Sequence, residues 1–123
     1  MMTHQDLQHF AEQWIANWNR HDLEAILGHF AEDAVFISPR AQTVTGQARI
    51  QGREALRQYW TKALAAVPDL QFDLESATCD DAGQTLVVHY IARLGGRSVR
   101  ACEMMRFENG RQIYGEAYYG APA

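Results

Sequence analysis

In LVVHYIARLGGRSVRACEMMRFENGRQIYGEAYYG, residues 86–120, apolar or small residues return at every second position: Leu86, Val88 and Tyr90, then Val99, Ala101, Met105 and Phe107, then Ile113, Gly115, Ala117 and Tyr119. A period of two marks strands with one buried face. GG at 95–96 and ENG at 108–110 separate the runs, and each contains residues that tolerate the positive φ of tight hairpin turns. Leu70, Phe72 and Leu74 begin the same alternation ahead of DDAG at 80–83. Consecutive hairpins predict an antiparallel meander.

Upstream of the meander the period is helical. Thr3 and Asp6 have the spacing of a capping box, and Leu7, Phe10, Ala11, Trp14, Ile15 and Trp18 follow on one face. Asn19, Arg20 and His21 interrupt this helix, and Asp22 caps a short second one with Leu23, Ile26, Leu27 and Phe30 inward. AVFIS at 34–38 is β-branched and aromatic, and Pro39 ends that strand because it cannot donate to a ladder. Residues 40–52 show little periodicity and predict a long loop, after which Leu56, Tyr59, Trp60, Ala63, Leu64 and Val67 restore a helix that stops at Pro68. The order is α-α-β-α-β-β-β-β: an α+β chain with helices packed on one face of a curved, mainly antiparallel sheet.

At 123 residues the chain suits one domain, 1–123, that buries about two thirds of the surface its unfolded form exposes. Fifteen acidic residues against eleven basic ones, with no basic stripe, argue against nucleic acid. Ten of the eleven basic residues are Arg, which suits paired or stacked contacts. The opening MMTHQDLQHF has neither a basic nor an apolar leader region, and no stretch approaches the roughly 20 apolar residues of a membrane span, so the expected location is cytoplasmic with no membrane partner. Cys79 and Cys102 form no CxxC pair and read as two buried free thiols, with a disulfide between them as the alternative.

WNRHDLEAILGHFAEDAVFISP at 18–39, IQGREALRQYW at 50–60 and MMRFENGRQIYGEAYYG at 104–120, in this element order, resemble the nuclear transport factor 2-like superfamily, including ketosteroid isomerase and the SnoaL-like polyketide cyclases. The resemblance spans essentially the whole chain and implies a cone-shaped, cystatin-like fold around an apolar pocket. In ketosteroid isomerase, an example of tuned carboxyls, an aspartate base works with a phenol and a protonated aspartate. By resemblance the phenol's place falls on Trp14, the base's on Ser38 and the protonated acid's on Glu103. Serine is no unassisted base near neutral pH, and an indole N–H donates without ionising usefully. SnoaL-like cyclases use a pocket acid on a late strand, a role that Glu103 could fill.

Glu103 is an acid where the strand pattern calls for an apolar residue. Burial against tryptophans would raise its pKa and suit it to proton transfer, whereas pairing with Arg100 or Arg106, or a register one residue off, would make it structural. Trp14, Trp18, Tyr59 and Trp60, with Phe36, Ser38 and Met105, form the expected ligand wall, although helical spacing equally suits core packing for the tryptophans. The histidines show no metal-ligand spacing, and nucleophile, phosphate-loop and dinucleotide motifs are missing, so neither metal nor cofactor is expected. The expected ligand is a small apolar molecule. The protein is then either an isomerase- or cyclase-like enzyme using Glu103 as general acid/base, or a noncatalytic binding or dimerisation module. Val87, Ile91, Tyr114 and Tyr118 on the opposite sheet face, with Arg93 and Arg97 nearby, predict a homodimer.

Overall fold

A computed structural model describes residues 1–123. The first helix, α1 (His4–Asn19), opens on the expected capping box: Asp6 N–H donates to Thr3 Oγ1 at 3.1 Å and Thr3 N–H to Asp6 Oδ2 at 2.8 Å. Its apolar stripe is buried from Leu7 to Trp18. Asn19 closes the helix and anchors it, since its side chain donates to Phe72 O at 2.9 Å and accepts from Phe72 N–H at 2.7 Å. Asp22 caps α2 (Leu23–Leu27), and the chain then enters β1 (Phe30–Ile37). The second helix is therefore shorter than the apolar spacing suggests, because Phe30 is already the first residue of a strand.

Residues 40–52 are not a loop. Ser38 accepts from Arg40 N–H at 3.1 Å as the N-cap of α3 (Pro39–Thr45), Pro39 occupies the first turn, and Gly46 ends the helix at φ 86°. These are helix start and stop residues, yet only Ala41 of α3 is buried, so no apolar period advertises it. The three-residue β2 (Arg49–Gln51) follows, then α4 (Arg53–Ala66). The meander comprises β3 (Gln71–Asp80), β4 (Thr85–Leu94), β5 (Arg97–Glu108) and β6 (Arg111–Pro122).

The six strands form one sheet in the order β2-β1-β6-β5-β4-β3, antiparallel except where β1 runs parallel to β6. Gly95 and Gly96 turn the second hairpin and Asn109 and Gly110 the third at positive φ, as the sequence predicts; in the first, Gln84 rather than Gly83 takes the left-handed conformation. Leu74, on the edge strand, is 37% exposed, and a bulge after it shifts the β3 register so that Ala77 and Cys79 turn toward the core. Cys79 and Cys102 are both free and half-buried rather than buried. They lie on strands separated by β4, Cys79 on the core face and Cys102 opposite His89, so the disulfide alternative is lost.

α1 packs on β3 and β4, and α4 on β1, so the helices cover one face of the sheet. Between them lies a single core of 25 buried apolar residues. No helix is long and apolar enough to cross a membrane.

Candidate functional site

Period-two alternation on β5 carries Glu103 to the core face, where its strand neighbour Met105 is fully buried. Opposite Glu103 stand Val88 on β4 and Ala117 on β6, and the carboxyl itself borders an open space. That space is a cavity of about 50 Å³ between the sheet, α1 and α4, room for a few water molecules or one small functional group. It brings together Trp14, Trp18, Phe36, Ser38, Tyr59, Trp60 and Glu103. Met105 lies beneath it in the core and does not line it.

The tryptophans serve both readings at once. Trp14 stacks on Phe72 with ring centroids 5.5 Å apart and meets Tyr90 edge-on at 5.3 Å, while Trp18 meets Trp60 edge-on at 5.3 Å. All three indoles are buried core members, and all three present part of their surface to the cavity. Trp18 Nε1 is buried without a hydrogen-bond partner.

Glu103 is 5% exposed. Neither arginine proposed as a partner reaches it: Arg100 pairs with Glu75 at 3.3 Å, and the Arg106 guanidinium lies 5.2 Å from the Tyr114 ring centroid. With no compensating charge, burial pushes its pKa up to about 8, so the carboxyl is mostly protonated at neutral pH. In that form it is a donor aimed at the cavity.

Sequence reasoning missed Arg40, Tyr90 and Tyr119, which line the same cavity. Three phenols therefore surround the acid: Tyr59 from α4, Tyr90 from β4 and Tyr119 from β6. Burial raises the pKa of each, and the Glu103 charge adds to the rise. The Ser38 hydroxyl acts in the opposite direction on Tyr59 and Tyr119, as the Arg40 guanidinium does on all three. The signal for Tyr90 and Tyr119 was present, since both share the inward period of Glu103. The place resembling the isomerase phenol holds an indole, but phenols from other elements line the same cavity as the acid. Ser38, in the place resembling the base, is buried and engaged as the α3 cap.

The histidines stay apart from this site. His89 faces the outer side of the sheet beside Thr78 at 3.4 Å, and no group of three or more His, Cys, Asp or Glu side chains comes together.

A model of the SnoaL-like domain matches residues 11–114. A SnoaL-like protein of unknown function from Burkholderia thailandensis is 32% identical, with a TM-score of 0.86 over 97% of this chain and 98% of that one. SalBIII, described as an epoxide hydrolase/cyclase-like enzyme in pyran ring formation in the polyether salinomycin, is 17% identical, with a TM-score of 0.80 over 98% of this chain and 95% of that one. A putative ketosteroid isomerase from Kribbella flavida is 17% identical, with a TM-score of 0.76 over 93% of this chain and 77% of that one. At such identities the last two likenesses show the shared fold. No functionally curated protein matches the chain.

Proposed function

The chain belongs to the SnoaL-like domain family, and on that premise we propose that it binds a small apolar molecule at the Glu103 cavity and acts on it with Glu103 as general acid/base, in an isomerase- or cyclase-like reaction. The observation that carries this reading is a buried carboxyl without an ion pair, its pKa raised to about 8, facing a cavity ringed by phenols. A structural carboxylate is normally paired, and its pKa then falls rather than rises. A carboxylic acid kept neutral can donate its proton to a substrate oxygen as negative charge develops there. The resulting carboxylate is the base that takes a proton back from carbon or from a hydroxyl, so the enzyme ends as it began. Tyr59 and Tyr119 supply further donors beside it. Activity of the kind described for SalBIII or for the putative isomerase is compatible with this set, and SalBIII is the likeness covering more of its own chain.

The test is turnover of a panel of conjugated enones and polyketide-like carbonyl or epoxide compounds by the protein and by Glu103→Gln. Loss of proton transfer with shape preserved should lower turnover by roughly 10² to 10⁴ with little change in binding. Equal turnover by both proteins would overturn the role given to Glu103.

A noncatalytic binding module is the second reading, favoured by Ser38 in the place resembling the base and by the small size of the cavity. It predicts a retained ligand, no reaction, and unchanged or tighter binding by Glu103→Gln. Under either reading we propose a homodimer through the outer sheet face, because Val87, Ile91, Tyr114 and Tyr118 sit together there with no helix over them and Tyr118 is 46% exposed.

A further inference from the structure

Arg40 stands where two hollows meet. With Leu94 it lines the Glu103 cavity, and the same two residues also line an outer groove of about 530 Å³ whose walls include Arg97, Val99 and Pro122. The inner cavity, at about 50 Å³, admits no more than a reacting group, so the body of any larger ligand must lie outside it. The adjoining groove has that room.

Its two cations are also singular. Eight of the ten arginines are engaged within the protein. Arg57, Arg93 and Arg100 form ion pairs. Arg20, Arg49, Arg53 and Arg111 donate to Asn17, Gln51, Phe30 O and Gly28 O respectively. Arg106 lies over the Tyr114 ring. Only the side chains of Arg40 and Arg97 have no hydrogen bond, ion pair or aromatic contact, and these two share one groove with apolar Leu94, Val99 and Pro122, with Ala123 beside them and no Asp or Glu side chain. In a chain of net charge -4, two free guanidiniums converging on an apolar groove are an unspent anion-binding capacity. Arg40 is half-buried and its field reaches Tyr59, Tyr90 and Tyr119, which places it at the entrance to the inner cavity.

We propose that the ligand is amphipathic: an apolar body in the outer groove carries a terminal oxyanion, a carboxylate or a phosphate, held by Arg40 and Arg97, while an uncharged reacting end passes Arg40 into the Glu103 cavity. This rests on the reading of that cavity as the ligand site and narrows its substrate class to apolar acids or phosphate esters.

Isothermal titration of the intact protein with 2-naphthoate, 2-naphthyl phosphate and neutral 2-naphthamide tests it. The apolar bodies are the same, so the comparison isolates the charge. At low salt at least one anion should bind roughly ten-fold or more tightly than the amide, and that margin should shrink as salt is added. Which anion leads distinguishes a carboxylate ligand from a phosphorylated one. Arg97→Gln should bring the anion to the level of the amide with amide affinity unchanged, Arg40→Gln should erase the margin between anion and amide, and Arg40→Lys should restore part of it. Arg97 is exposed, so its variant does not put folding at risk. Equal binding of acid and amide, or an undiminished margin in both glutamine variants, overturns the anion site while leaving the cavity reading intact. Failure of all three compounds to bind, with no change in the Glu103 carboxyl resonance, would remove the cavity reading and this inference together.

Discussion

Tyr119 stands one diagonal step from Glu103 on the inner face of the sheet, because Ala117 pairs with Glu103 and Tyr119 pairs with Ala101 across the same two strands. At that separation the two groups cannot both be charged without mutual cost, and burial of each discourages charge on either. The pair is therefore neutral over most of the ordinary pH range, with Glu103 the first to ionise.

Stability should fall as pH rises toward 8. The folded-state pKa of Glu103, about 8, lies above the roughly 4.3 of an unfolded glutamate, so between those values the folded protein holds a proton that the unfolded chain has lost. Its contribution is fully present below the unfolded value and disappears as pH passes the folded one, a change on the order of a few kcal/mol. Chemical denaturation at pH 5, 6.5 and 8 should show this slope, and Glu103→Gln should flatten it and be the more stable protein at pH 8. Carboxyl NMR that put Glu103 at or below the free value would sink the idea.

Trp14 and Trp60 should report ligand entry. Both line the cavity while packed in the core, so a bound apolar group should quench their fluorescence. Trp14→Phe and Trp60→Phe should each weaken binding by about 0.5 to 1.5 kcal/mol through lost aromatic contact. Unchanged affinity and quenching in both variants would place the ligand elsewhere.

Gly115 should not accept a side chain. A Cβ there would come within 2.9 Å of Gln112 Nε2 and 3.2 Å of Phe36 Cδ1, and Phe36 is both the strand partner of Gly115 and a wall of the cavity. Gly115→Ala should cost about 1 to 3 kcal/mol by overpacking, read as a fall in thermal midpoint, and should reduce ligand binding by displacing Phe36. A variant as stable as the parent would mean that the ring moves aside freely.

Sedimentation equilibrium at micromolar concentration should find a species of twice 13.9 kDa. Placing a charge in the outer face with Tyr118→Glu should give the single-chain mass while leaving the Glu103 pKa in place, since Tyr118 points away from the cavity. A parent protein that is single-chain throughout would rule out the proposed interface.

Local pattern carried much of the architecture. The capping box at Thr3, the stripe from Leu7 to Trp18 and most of the alternation from Leu70 to Tyr119 each depend on near neighbours in the chain, so each could be read without knowing the fold. A register shift at Phe107, by contrast, buries Gln112 in place of the expected Ile113. The inward position of Glu103 followed from the same alternation. α3 and β2 escaped because short edge elements bury one residue each, Ala41 and Ile50, and a period needs repetition to be seen. Here the capping residues Ser38, Pro39 and Gly46 were the better signal.

By itself the sequence determined the order of most elements, the buried face of the meander and the presence on it of one acid among apolar residues. Only the tertiary structure decided that Arg100 and Arg106 turn away from Glu103, that phenols from α4, β4 and β6 converge on it, and that Arg40 joins its cavity to an outer groove. The division has a physical cause. Which face a side chain takes is set by backbone geometry over a few residues, whereas which side chains meet is set by sheet register and helix packing between segments far apart in the chain.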